Sequence, residues 1–144
     1  MKLFNGVFAE ELLPSDGNKA LVDYKFMCFN GEPRYCLVCT DRNMSSFHPK
    51  FSLYSLPDWE KLSGCVVPEE EAEETISAPA GLKRMIECAR ILADSFPFVR
   101  IDLYNVMGKI YFGEMTFTPA AGRITYFSRR TLREMGRMIK LPNC

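Results

Sequence analysis

The sequence predicts an α+β domain, an antiparallel β-sheet with helices packed on one face, and three observations carry that expectation. Two apolar runs flank an Asn30-Gly31 dipeptide, the strongest short hairpin signal in the chain. Pro79 to Phe96 repeats apolar residues at helical spacing. A second pair of strand-like runs follows, and then a segment that Ser128 can cap as a helix. The order strand, hairpin, loop, helix, hairpin, helix gives this class. With 144 residues the chain suffices for one compact domain and is too short for two ordinary ones, so residues 1–144 are read as a single unit.

Taken in order, the first element is short and apolar, Gly6 to Leu13, and a turn cluster, Ser15-Asp16-Gly17-Asn18, follows it. Val22 to Phe29 reads as a strand, with Asp23, Lys25 and Met27 on one face and Tyr24, Phe26 and Cys28 on the other. Arg34 to Thr40 returns. Asp41 to Pro79 shows no sustained period and is expected to be an ordered loop followed by an exposed acidic connector, Glu69 to Glu74. In the helix, Leu82, Met85, Ile86, Ala89, Leu92 and Phe96 form the stripe, Pro79 suits the first turn and Pro97 stops it. Phe98 to Tyr104 and Lys109 to Thr118 are the next strands. The last helix is expected to run to about Leu141 on a stripe of Leu132, Met135 and Ile139.

Composition removes several classes of function. Eighteen basic residues balance eighteen acidic ones, which argues against a general nucleic-acid footprint or a polybasic membrane anchor. No apolar stretch approaches the ~20 residues a transmembrane helix needs, and the N-terminus lacks the pattern of a secretory signal. The six cysteines are irregularly spaced, which favours reduced thiols and a cytoplasmic location. Cys36 and Cys39 have the spacing of a metal knuckle. On a strand, however, residues three apart point to opposite faces and chelate poorly.

The informative segment runs from Phe98 to Phe117. A three-residue loop, Val106-Met107-Gly108, would place glycine where φ > 0 is wanted, pair Asn105 with Lys109 and set Arg100 opposite Glu114. Arg100, Asp102, Glu114 and Thr116 then share a face, and Asp102 and Glu114 are diagonal neighbours. Two carboxylates on rigid strands suit magnesium, which takes one or two protein carboxylates and fills its octahedron with water and phosphate oxygens. A two-residue loop would instead put the two acids on opposite faces. The spacing equally allows an exposed acid pair neutralised by Arg100.

Phe96-Pro97-Phe98-Val99-Arg100-Ile101-Asp102-Leu103-Tyr104, with Gly108 to Phe117, closely resembles the end of the TupA-like (teichuronopeptide-biosynthesis type) ATP-grasp proteins. Ala9 to Leu13 looks like that family's hinge, Asp23-Tyr24-Lys25-Phe26 through Asn30-Gly31 its first hairpin, and Thr40-Asp41-Arg42 its basic turn. The resemblance implies the C-terminal lobe of an ATP-grasp fold that uses ATP and Mg2+. Such a ligase activates a carboxylate as an acyl phosphate for attack by an amine, here in cell-surface polysaccharide or glycopeptide synthesis, with substrates that can be glycan-linked. Asp102 and Glu114 would hold magnesium. Thr116 stands beside them, where many relatives place an asparagine ligand. Glu10, Glu11 and Leu12 would line the adenine pocket and Asp23 would approach the ribose. Lys25, Arg42 and Arg100 are the cationic candidates for phosphate or the acceptor carboxylate, as phosphoryl transfer depends on positioning and neutralisation of charge. Family members carry a preceding lobe with lysines that embrace the nucleotide. The chain is therefore expected to be a truncated gene product, a fragment, or one partner of a split protein whose other lobe is supplied in trans. Two other readings stay open, a polysaccharide-biosynthesis glycosyltransferase and a non-catalytic nucleotide-binding or interaction module.

Overall fold

The computed structural model describes residues 11–14, 21–40 and 49–141. Its centre is a five-stranded antiparallel sheet built from β1 (Asp23–Phe29), β2 (Glu32–Thr40), β3 (Lys50–Ser55), β4 (Phe98–Val106) and β5 (Lys109–Thr116). The spatial order is β3-β2-β1-β4-β5. Two helices, α1 (Leu82–Ala93) and α2 (Arg129–Met138), complete the regular structure, so the α+β class is observed.

Asn30-Gly31 makes the expected tight hairpin, pairing Phe29 with Glu32, and both residues adopt the positive φ that a primed turn demands, 51° and 82°. Gly31 is also needed for space, because a Cβ there would sit 3.0 Å from the carbonyl oxygen of Asp94 at the end of α1.

The strand alternation sorts the core into two layers. Phe26, Cys28, Cys36, Val38, Tyr54, Val99, Ile101 and Leu103 face α1 and pack on Met85, Ile86 and Ala89. Met27, Phe29, Leu37, Cys39 and Leu53 face the other way and pack on Val66, Phe127 and Met135 of α2. The helices thus cover opposite faces of the sheet rather than sharing one. The reason lies in the central strands, where all of β1 is buried, so each face has apolar residues that need a cover. Cys36 and Cys39 fall in different layers, as strand geometry requires.

Three expectations from the sequence need correction. The stretch read as a loop contains β3, whose Phe51, Ser52, Leu53 and Tyr54 are all buried. A strand buried on both faces lacks the alternation by which strands are recognised. The acidic run is exposed at Glu69, Glu73 and Glu74, as expected, but it is tied to the rest of the fold. Glu71 bridges to Phe51, and the Lys61 ammonium donates to the backbone carbonyls of Ala72, Glu73 and Glu74 at 2.6, 3.2 and 3.2 Å. Finally, α2 ends at Met138. Asn30 fixes that end, donating to the Met138 carbonyl at 2.7 Å and accepting from the Lys140 backbone N–H at 2.9 Å. On α2, Ser128 caps as expected by accepting from the Thr131 N–H. Met135 enters the core and Leu132 faces outward.

Candidate functional site

The face of β1, β4 and β5 that carries charged side chains is assembled by register. Lys25 lies opposite Asp102 across β1 and β4, and Met27 lies opposite Arg100. Across β4 and β5, Asp102 lies opposite Glu114 and Arg100 opposite Thr116. The sequence argument placed Arg100, Asp102, Glu114 and Thr116 on one face, and they do share it, but by a different route. The β4–β5 turn has two residues, not three. Met107 and Gly108 both have positive φ, 51° and 77°, and Val106 pairs with Lys109. Continued regularly, that turn would set Asp102 against Gly113 and send Glu114 to the far face. A β-bulge between Asp102 and Leu103 in the ladder absorbs one residue and brings Glu114 back. Gly113 is the residue absorbed. A Cβ there would lie 3.1 Å from both the Asp102 carbonyl oxygen and the Tyr104 ring, so glycine permits the close approach.

The charged groups form one chain of contacts. Lys25 Nζ lies 2.6 Å from Asp23 Oδ2 and 2.5 Å from Asp102 Oδ2. Arg100 grips Asp102 with a two-pronged fork, Nε to Oδ1 at 2.7 Å and Nη2 to Oδ2 at 2.8 Å. The same Nη2 donates to Glu114 Oε1 at 2.6 Å, and Thr116 Oγ1 donates to that oxygen at 3.2 Å. Asp23, Lys25, Arg100 and Asp102 are buried, whereas the Glu114 side chain is 61 % exposed. Burial alone would lower the pKa of the Lys25 ammonium. Hydrogen bonds and attraction from Asp102 and Asp23 outweigh it, and the pKa is raised. Arg100 follows the same pattern, with burial opposed by Asp102 and Glu114.

This network forms one wall of an open cleft of about 1110 Å³, lined also by Glu11, Leu12, Tyr104, Lys109 and Tyr111. Of the expected binding residues, Glu11, Leu12, Asp23, Lys25, Asp102 and Glu114 therefore border a single cavity. Arg100 and Thr116 touch its carboxylates from behind. Glu10 and Arg42 lie outside the described residues. Leu12 is almost fully exposed, offering an apolar surface at the rim.

Sequence reasoning missed several cleft residues. Tyr104 was legible, because it sits two residues after Asp102 on the same strand and so shares its face. Lys109 and Tyr111 were not, since the turn and the bulge together decide where they project. The Lys109 ammonium lies 5.1 Å from the Tyr111 ring centroid, a cation–π contact at the cleft. Tyr126 was also missed. It stacks on Phe51 with ring centroids 4.6 Å apart. Burial raises its phenol pKa, and the positive charges of Arg100 and Lys25 oppose that rise. No local pattern ties it to β4, some two dozen residues earlier.

A family model described as TupA-like ATPgrasp matches residues 3–140. The chain belongs to the TupA-like ATP-grasp family. No curated protein and no solved structure matches it. The match spans every described strand and both helices. Among the described residues, no helix is long and apolar enough to cross a membrane.

Proposed function

We propose that this TupA-like ATP-grasp chain carries the phosphate-facing wall of an ATP- and magnesium-dependent carboxylate–amine ligase acting in cell-surface polysaccharide or glycopeptide synthesis. The single observation that carries the reading is the convergence of Lys25, Asp23, Asp102 and Glu114 on one wall of an open cleft, with Arg100 paired to the last two. Hard-oxygen donors for a metal and fixed cations for phosphate are the parts that phosphoryl transfer requires.

The residues present fit a phosphate-bound magnesium. Among the described residues, no three His, Cys, Asp or Glu side chains converge as an all-protein metal cage. Magnesium held on phosphates uses only one or two carboxylates, and Asp102 with Glu114 offers two at directly opposed strand positions. When bound there, the ion supplies neutralisation of charge on the phosphate oxygens. Lys25 holds a fixed positive charge at the cleft wall, and Arg100 presents a planar fork suited to phosphate or carboxylate oxygens. Asp23 keeps the Lys25 ammonium in place at 2.6 Å. Leu12 and Tyr111, which also line the cleft, provide apolar and aromatic surface for a base. A preceding lobe, as the family resemblance implies, would cover the cleft's open side and exclude water from the transferring group.

Discrimination from the glycosyltransferase reading is direct. A ligand that binds only the folded state raises the melting temperature, by an amount that grows with the logarithm of its concentration relative to Kd. MgATP should raise it, and a magnesium-complexed uridine diphosphate sugar at equal concentration should not. A larger shift with the sugar nucleotide would overturn the ligase reading.

A further inference from the structure

Resting on the magnesium reading above, we propose that Arg100 is a built-in competitor for the metal, occupying the carboxylates until a polyphosphate draws it away. Its Nη2 atom stands between the two acids, 2.8 Å from Asp102 Oδ2 and 2.6 Å from Glu114 Oε1. That is the place from which a divalent ion would contact both. Nε takes the remaining Asp102 oxygen at 2.7 Å, and Lys25 adds a third cationic contact to the same carboxylate at 2.5 Å. A carboxylate offers about four lone-pair positions, and three on Asp102 are already filled.

Charge adds to the steric conflict. A dication placed between Asp102 and Glu114 would meet the buried Arg100 guanidinium at close range, and like charges repel there even with water on the Glu114 side. Among the described residues, the ion pairs of Arg100 are to these same two acids. The triphosphate of a nucleotide changes this balance. It brings several anionic oxygens that the planar fork can accept as new partners, which frees Asp102 and Glu114 for the ion. Metal and nucleotide therefore bind with positive coupling, and that coupling runs through Arg100. By linkage, each ligand strengthens the other by the same factor. The consequence is regulatory. The site resists loading by free divalent ions and accepts the metal when the nucleotide arrives.

The test uses Mn2+ as the probe, measured by electron paramagnetic resonance, with and without adenosine 5′-(β,γ-imido)triphosphate. The wild-type chain should bind Mn2+ weakly alone and at least about 10-fold more tightly with the analogue, a coupling of about 1.4 kcal/mol. Arg100→Met keeps the apolar stem but removes the charge. It should tighten binding of Mn2+ alone by at least about 10-fold and shrink the coupling. Arg100→Lys retains charge without the fork and should fall between. Unchanged or weaker binding of Mn2+ alone by Arg100→Met would overturn the proposal. Should that variant fail to fold, nitrogen-15 NMR of the Arg100 side chain in the wild type decides. Its Nε resonance should stay fixed under Mg2+ alone and move when the analogue is added with Mg2+, and movement under Mg2+ alone overturns the idea. Failure of the underlying metal reading looks different: Asp102→Asn with Glu114→Gln would then leave Mn2+ binding intact in every condition.

Discussion

Asp102 lies directly opposite Glu114 across the β4–β5 pair, although the two-residue turn joining those strands would by itself set Asp102 against Gly113. The bulge at Gly113 converts one register into the other. One backbone irregularity thus decides whether two acids, twelve positions apart in the chain, share the cleft wall.

Gly113 is therefore a stringent position. An added Cβ would press on the Asp102 carbonyl oxygen and the Tyr104 ring, both at 3.1 Å, and the carbonyl is backbone that can shift little. Gly113→Ala should lower unfolding stability by about 1 kcal/mol, and Gly113→Val by more, measured by urea denaturation. Equal midpoints for Gly113→Val and the wild type would show that the bulge tolerates a side chain.

The two acids should differ sharply in their structural role. Asp102 is buried and held by both Arg100 and Lys25, so Asp102→Ala leaves buried cations short of a partner. A loss of about 3–5 kcal/mol is expected. Glu114 is mostly exposed, its pairing with Arg100 is open to solvent screening, and Glu114→Gln should cost less than about 1 kcal/mol. Equal losses in denaturant unfolding would contradict the asymmetry.

Alkaline pH should destabilise the fold, and the sign follows from three groups. Burial pushes the Tyr24 phenol from 10.0 to about 12, with Cys36 and Tyr54 adding to it. Burial likewise pushes the Cys28 thiol from 9.0 to about 12. Both groups ionise first in the unfolded chain, so above about pH 9 that chain binds fewer protons than the native one. Lys25 acts in the same direction. Its pKa is raised above 10.5, so its stabilisation is full below that value and is lost as pH rises through the folded-state value. Stability should fall between pH 9 and 12, by up to about 1.4 kcal/mol per pH unit for each group that titrates only in the unfolded chain. A urea midpoint that is flat or rising over this range would contradict the burial of these side chains.

Much of this architecture was legible because local chemistry and tertiary structure agree. Asn30-Gly31 specifies a turn that only those backbone angles satisfy, Ser128 caps α2, and the apolar period of α1 matches the face it buries. Reading failed where a residue's environment is set by distant partners. β3 is covered on both faces, so it shows no alternation. The second face of the sheet needed a cover, and nothing in the α2 sequence says which face it will take. At the site, Arg100, Asp102 and their shared face were readable from period two along β4. The pairing with Glu114 was expected from a three-residue turn, whereas a shorter turn and a bulge together achieve it. Tyr126 is held by the Val67 N–H to Tyr126 carbonyl bond and by its stack on Phe51, links that sequence spacing does not encode.

The most direct test of the central claim is a calorimetric titration of MgATP into the wild-type chain and into Asp102→Asn with Glu114→Gln. Retained folding of the double variant would first be verified by circular dichroism. If the opposed carboxylates hold the magnesium of a nucleotide on this wall, the wild type should bind MgATP, even if only with Kd of about 1 mM, worth about 4 kcal/mol. The folded double variant should bind it at least about 10-fold more weakly. Equal MgATP affinity in the two proteins would contradict the account.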